Sequence, residues 1–255
     1  DGVKQGQEVF FDMANLEPGR NIVVGLSFDA GHLTSGMYRA KIKVFNQFEV
    51  SRIGSSKVGS TQIINEKNSS FGAGWMLDGL SKLAITPPLQ YSNAVTAESV
   101  LWIAPDGNHA TYYSIFNTNR YGTPKGNFST LIKNSNGTYT LTDKFGVVSE
   151  YSASGLMTAR KDRNGNITTF TYGSNDQLER ITDPVGLETS ITYFAGRMQA
   201  ITDPAGRTTQ FSHDSAGNLT EVTYPDGSKR SYDYSGHLMV RKTDERGNVS
   251  EYQYD

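Results

Sequence analysis

Across the second half of the chain, apolar and polar residues alternate in short runs that turn residues interrupt about every ten positions. In GRTTQFSHD (206–214), Thr209, Phe211 and His213 fall on one side of an extended chain, and Thr208, Gln210 and Ser212 on the other. That follows from the two-residue period of a strand. No stripe of apolar residues at i, i+3, i+4 and i+7 is sustained, so the pattern predicts strands and turns, an all-β chain. The front of the chain has a different rhythm. MYRAKIKVF (37–45) sets Tyr38, Ala40, Ile42 and Val44 against Arg39, Lys41 and Lys43, the alternation of an antiparallel strand with one solvated face. NIVVGLSF (21–28) also reads as a strand, and EVSRIGSSKVGSTQ (49–62) as the connection out of this region.

The turn residues of the second half are periodic. Gly146, Gly165, Gly186, Gly206, Gly227 and Gly247 are separated by 19, 21, 20, 21 and 20 residues. Five residues after them stand Tyr151, Phe170, Ile191, Phe211, Tyr232 and Tyr252. Seven residues after stand Tyr172, Tyr193, His213, Tyr234 and Tyr254, with Ala153 as the exception in the first unit. Asp143, Asp162, Asp183, Asp203 and Asp244 precede their glycines by three, and Tyr224 takes that slot before Gly227. A second apolar series, Met157, Leu178, Met198, Leu219 and Leu238, lies two residues past a second turn at Gly155, Asp176, Gly196, Gly217 and Gly236. Internal repetition of this kind marks a repeat architecture, and two turns with two strands per unit predict one β-hairpin per repeat. Leu178 with Ile181, and Leu219 with Val222, are spaced by three. That breaks strict alternation and predicts a bulge or a strong local twist.

Composition narrows the class of function. The 255 residues carry a net charge of −2, so there is no long-range attraction to nucleic acid or to an anionic membrane. No apolar run is long enough to span a bilayer as a helix. The absence of cysteine excludes disulfides, thiolate metal sites and a cysteine nucleophile. The opening DGVKQGQEVFF has neither a basic start nor an apolar stretch, so no signal peptide is expected there. The chain reads as a piece of a longer protein.

The strings DRNGNITTFTY, HDSAGNLTEV and YDYSGHL resemble the YD or Rhs repeats of bacterial Rhs proteins, Tc-toxin cocoon subunits and teneurins. NSSFGAGWMLDGLSKL (68–83) resembles the lead-in segment that precedes such repeats, and RYGTPKGNFSTLIKNSNGTYTLTDKFG (120–146) the link into the first regular unit. The resemblance implies a spiralling sheet of consecutive antiparallel hairpins, part of a hollow shell. In toxin-type members that shell encloses a C-terminal effector, and in teneurin-like members it is a surface scaffold. LTSGMYRAKIKV looks like the closing hairpin of an immunoglobulin- or fibronectin-like sandwich. The expected divisions are 1–61 for these front strands, truncated or plug-like, 62–139 for the lead-in with irregular hairpins, and 140–255 for YD-repeat hairpins. Six glycine-marked turns, with the less regular VLWIAPDGNHATYYSIF (100–116), are too few to close a chamber. DPVGL (183–187) echoes the family's autocleavage region, but Asp183 and Gly186 are in repeat register, so no protease role is assigned.

Candidate chemistry is sparse. Asp203-Pro204 fills the same turn slot as TDPVG and TDERG, and His213 stands where other units carry Tyr, so the pair reads as a turn and a strand face. Asp162, Asn164 and Asn166 alternate as in a calcium loop, but Gly165 falls at the fourth position and not the sixth. Gly72 and Gly74 lack the third glycine and the βαβ setting of a nucleotide fingerprint, so Phe71 and Trp75 are expected to anchor the lead-in in the core. His32, His109, His213 and His237 have no paired-ligand spacing. No catalytic, cofactor-binding or metal residue is assigned, and no cofactor. The expectation is a non-enzymatic wall segment of an exported bacterial protein, secreted or at the cell surface. Its partners would be the rest of the shell and an enclosed effector. The alternative is an adhesion module binding carbohydrate or a cell-surface protein.

Overall fold

The computed structural model describes residues 29–47, 52–88, 90–91, 94–95 and 97–254. The strand expected at 21–28 lies outside them. Among the described residues there is no helix, and none that could cross a membrane.

Strand β1 (Gly36–Gln47) pairs along its whole length with β2 (Arg52–Ile63). This corrects the reading of 49–62 as a connection. Gly54, Gly59 and the serines give residues 52–63 poor strand propensity of their own, and pairing with β1 supplies what propensity does not. Phe45 stands opposite Gly54, where a Cβ would collide with its ring.

A four-stranded sheet follows, built from β3 (Lys82–Thr86), β6 (Ser99–Ile103), β7 (His109–Ser114) and β8 (Tyr121–Gly122) in the order β3-β6-β7-β8. The small ribbon of β4 (Gln90–Tyr91) and β5 (Ala94–Val95) falls between β3 and β6 in the chain. Val100, Leu101, Ile103 and Tyr112 are fully buried here.

The remainder is one sheet of 13 strands. They are β9 (Thr130–Lys133), β10 (Tyr139–Thr142), β11 (Val148–Tyr151), β12 (Met157–Lys161), β13 (Ile167–Tyr172), β14 (Leu178–Thr182) and β15 (Glu188–Phe194). Then come β16 (Arg197–Thr202), β17 (Thr208–His213), β18 (Leu219–Thr223), β19 (Lys229–Ser235), β20 (Leu238–Thr243) and β21 (Val249–Glu251). Every strand pairs antiparallel with its neighbour in sequence, so the predicted run of consecutive hairpins is what forms.

Each first turn is built alike. The glycine N–H donates to the aspartate carbonyl three residues back, at 3.0 Å for Gly186 and 2.9 Å for Gly206. The aspartate carboxylate accepts two further N–H groups, as Asp203 does from Ala205 and Arg207, both at 2.9 Å. Where Tyr224 replaces Asp, its carbonyl still accepts from Gly227, and Asp226 supplies the carboxylate to Ser228. The glycines sit at φ near +80 to +90, as Gly186 does at 88°, a region closed to most side chains.

The second strand of each repeat hairpin carries the predicted bulge. Register shifts where Tyr151 meets Met157, Tyr172 meets Leu178, Tyr193 meets Met198, His213 meets Leu219, and Tyr234 meets Met239. Those pairs explain the uneven period. The partners are six residues apart at 172/178 and 213/219 and five apart at 193/198 and 234/239, which separates the 21-residue steps from the 20-residue ones. In the shorter loops, Ala195-Gly196 has both φ values positive, and Gly236 takes the positive φ at the first loop position. These are the two residue patterns that two-residue hairpin loops favour.

Two register assignments are corrected. Leu238 is half exposed and pairs with Ser235, while Met239 holds the bulge position. The glycine has moved one place within its two-residue loop, so counting from Gly236 lands one residue early. In the first unit Tyr151 holds the place that Tyr172 and Tyr193 hold later. Strand β11 spans 4 residues where β13 spans 6, which shortens that step to 19 and leaves Ala153 in a turn.

Candidate functional site

The alternation of the repeats gives the 13-stranded sheet one polar and one apolar face. On the apolar face the bulge row is the deepest part: Tyr151, Met157, Leu178, Met198 and Leu219 are all under 5% exposed. Burying a Met or Leu side chain contributes roughly 1.5–3 kcal/mol, so this row carries much of the sheet's packing energy. Phe170, Ile181, Ile201 and Phe211 form a half-buried row beside it.

Residues 69–83 lie across that face as a strap, docked through main-chain groups next to the bulges. Leu83 N–H donates to the Gly155 carbonyl (2.9 Å), Met198 N–H to Ser70 (2.7 Å) and Ala73 N–H to Gly217 (2.8 Å). A bulge leaves ladder groups without a strand partner, and buried main-chain groups need one. The strap provides it. Contact is close enough that a Cβ on Gly155 would overlap the Leu83 carbonyl, and one on Gly72 would press on Leu219. Side chains add to the docking. Trp75 donates from Nε1 to the Tyr234 hydroxyl (3.0 Å) and packs edge-on to Tyr232, with ring centroids 5.0 Å apart. The Arg197 guanidinium donates to the Ser69 carbonyl. The Ser81 and Tyr151 hydroxyls are 2.7 Å apart, and Trp102 Nε1 donates to the same Tyr151 oxygen (3.1 Å). Phe71 packs against the core row, so Phe71 and Trp75 both anchor the lead-in, as expected.

His213 belongs to this contact. Its Nε2 lies 3.4 Å from the Phe71 carbonyl, and burial holds the imidazole below its ordinary value. The Phe71 carbonyl pulls it back up, the Arg197 charge pushes it further down, and Asp214 opposes that. Asp203 is spent in its turn, with Arg207 holding its carboxyl below the usual range. Asp162 accepts from Asn164 and Asn166 N–H through one oxygen and from the Asn166 amide through the other. These bonds, led by the Asn166 side chain, keep the carboxyl ionised and account for the calcium-like spacing as turn geometry. His237 Nδ1 faces Asn218 Oδ1 at 3.2 Å. Among the described residues no three His, Asp or Glu side chains converge as metal ligands.

A polar junction joins the two larger sheets. Glu98, just ahead of β6, accepts from the Tyr121 hydroxyl, from Lys133 Nζ at 3.0 Å and from the Tyr139 hydroxyl at 3.4 Å. Burial pushes the Glu98 carboxyl up, but the Tyr121 and Lys133 hydrogen bonds and the Lys133 charge outweigh it and leave the group below the usual carboxylate range. Burial and the bond to Glu98 drive the Tyr121 hydroxyl far above its ordinary value. Nothing in the local sequence around Glu98 signalled this cluster, because its partners lie 23, 35 and 41 residues away.

The family model for the RHS repeat matches residues 151–190 and 195–229, inside the run of bulged hairpins. These hairpins carry Rhs repeats. No curated protein matches this Rhs-repeat chain in sequence. Among solved structures it is similar to TcdB2–TccC3 without its hypervariable C-terminal region, at 14% identity and TM-score 0.34 over 64% of this chain and 10% of that one. It is similar to the TcdB2–TccC3–Cdc42 structure, at 13% identity and TM-score 0.33 over 80% of this chain and 12% of that one. A third is the Tc holotoxin pore of Photorhabdus luminescens, at 12% identity and TM-score 0.33 over 81% and 12%. The Rhs-repeat chain thus spans about a tenth of the length of these structures' chains. Its repeats build one sheet of consecutive hairpins, each strand beside its neighbour in sequence.

Proposed function

We propose that this Rhs-repeat chain is a non-enzymatic stretch of wall in a larger exported bacterial protein whose shell encloses a C-terminal effector. The observation that carries the reading is the 13-stranded sheet with strands in strict sequence order. Adjacent strands sit roughly 4.8 Å apart, and beside the bulges the strap takes up main-chain groups such as Met198 N–H, so such a wall has no gap through which a chain could thread. Its action is steric. The strap anchors the apolar face, and the polar turns line one rim of the sheet.

The test uses the full-length protein. Limited proteolysis of the intact product should spare the C-terminal region while a separately expressed copy of that region is digested at once. Equal digestion of the two would defeat the enclosure reading, and absence of further repeats after residue 255 would defeat the shell.

A further inference from the structure

Strand β7 presents a second surface that the wall does not use. Its residues Ala110 and Tyr112 are buried in the core. His109, Thr111 and Tyr113, on the other side of the strand, line an open cleft of about 700 Å³. Gln62, at the end of β2, and Lys125, on the loop after β8, complete its walls.

The lining has a definite chemistry. Tyr113 is 48% exposed, and its cross-strand partner on β8 is Gly122, which has no side chain to cover the ring. Gln62 spends its amide N–H on the Thr111 hydroxyl (2.5 Å), which fixes the amide and leaves its carbonyl oxygen as an acceptor. Among the described residues, the Tyr113 hydroxyl and Lys125 Nζ have no partner. Among the described residues no Asp or Glu lines the cleft, and Lys125 is the one fixed charge.

We propose that this cleft binds an acidic saccharide, an oligosaccharide carrying a uronic or sialic acid residue. The Tyr113 ring packs against the apolar face of a pyranose, as aromatic side chains with one polar end do where an apolar surface meets water. Lys125 takes the carboxylate in a charge-assisted bond. The Gln62 carbonyl accepts from a sugar hydroxyl. A bare anion would have no use for an acceptor or an uncovered ring. A neutral sugar would have more use for carboxylates, the acceptor-only side chains, and the described lining residues include none.

The experiment is an NMR titration of the whole chain at fixed ionic strength with trigalacturonate, 3′-sialyllactose, lactose and sodium sulfate. At least one acidic saccharide should give saturating shifts at Gln62, His109, Tyr113 and Lys125, with lactose about tenfold weaker or worse. Lys125→Gln, a change at an exposed loop position, should cost about tenfold toward the acidic saccharide and little toward lactose, since a charge-assisted bond is roughly twice as strong as a neutral one. Tyr113→Ser should abolish binding of both. The proposal is overturned if neither acidic saccharide shifts these residues at millimolar concentration, or if lactose binds equally. It is overturned equally if sulfate alone reproduces the whole pattern, or if Lys125→Gln binds unchanged.

Discussion

Gly155 and Gly186 offer a matched test of the strap. Their φ values are 89° and 88°, so alanine at either position pays the same backbone cost, roughly 1–2 kcal/mol for an L-residue in the left-handed region. They differ in surroundings. Among the described residues nothing lies within 4 Å of a Cβ built on Gly186, whereas a Cβ on Gly155 meets the Leu83 carbonyl. Backbone cannot step aside as a flexible side chain can, so Gly155→Ala must also displace the strap at Leu83. That breaks the 2.9 Å bond from Leu83 N–H to the Gly155 carbonyl, and leaving a buried donor unsatisfied costs roughly 1–3 kcal/mol more. The expected losses are therefore about 1–2 kcal/mol for Gly186→Ala and about 2–5 kcal/mol for Gly155→Ala. Urea unfolding at constant m-value reads the totals. Hydrogen exchange at the Leu83 amide reads the mechanism, because only Gly155→Ala should speed it. Equal losses in the two variants, or an unchanged Leu83 amide in Gly155→Ala, would refute the claim that the strap is seated on the second turns.

Glu98→Gln should cost about 1.5–3 kcal/mol, the range for a hydrogen bond to a charged group, read as a drop in urea midpoint. Because the Glu98 carboxyl is held low, its contribution is full above the unfolded value near pH ~4.3 and fades as pH falls through the lower folded value, a dependence that Glu98→Gln should remove. For His213 the folded state disfavours the proton. Its stability is full above the unfolded value near pH ~6.5 and declines as pH falls from there to the lower folded value. His213→Tyr, which restores the residue of neighbouring units, should flatten melting temperature between those pH values, and a slope unchanged from the parent would count against the assignment. Trp75→Phe keeps the ring packing on Tyr232 but loses the bond to the Tyr234 hydroxyl. It should cost about 1 kcal/mol and speed amide exchange in β19 and β20 before it does so in β11 and β12.

The hairpins were readable from residue spacing because turn chemistry and strand alternation are local. Asp203, Gly206 and Phe211 each act within their own turn or strand, and the same arrangement recurs along the chain. Leu178 and Ile181 even betrayed the bulge, since a three-residue gap cannot lie on one face of a regular strand. What failed were the cases where one local choice has two outcomes. A glycine in a two-residue loop can take either place, so Gly236 could not say whether Leu238 or Met239 turns inward. The Gly- and Ser-rich stretch 52–63 becomes a strand only because β1 is there to pair with it. Neither the Glu98 junction nor the β7 cleft was visible in advance. Each gathers residues from separate parts of the chain whose individual letters are ordinary: a Glu before a strand, a Tyr on its exposed side, a Lys in a loop.

The bulges share one further property, which is that all of them fall on the same row. A bulge adds a residue to one strand and not to its partner, bending that strand and increasing its right-handed twist. Scattered bends would cancel. Bends stacked in register, from the 151/157 pair to the 234/239 pair, add like wedge-shaped stones in an arch. Each hairpin is its own wedge, so the curve is written locally and lengthens in direct proportion to the number of hairpins laid down. A stretch of any length inherits the bend of its members without reference to the whole.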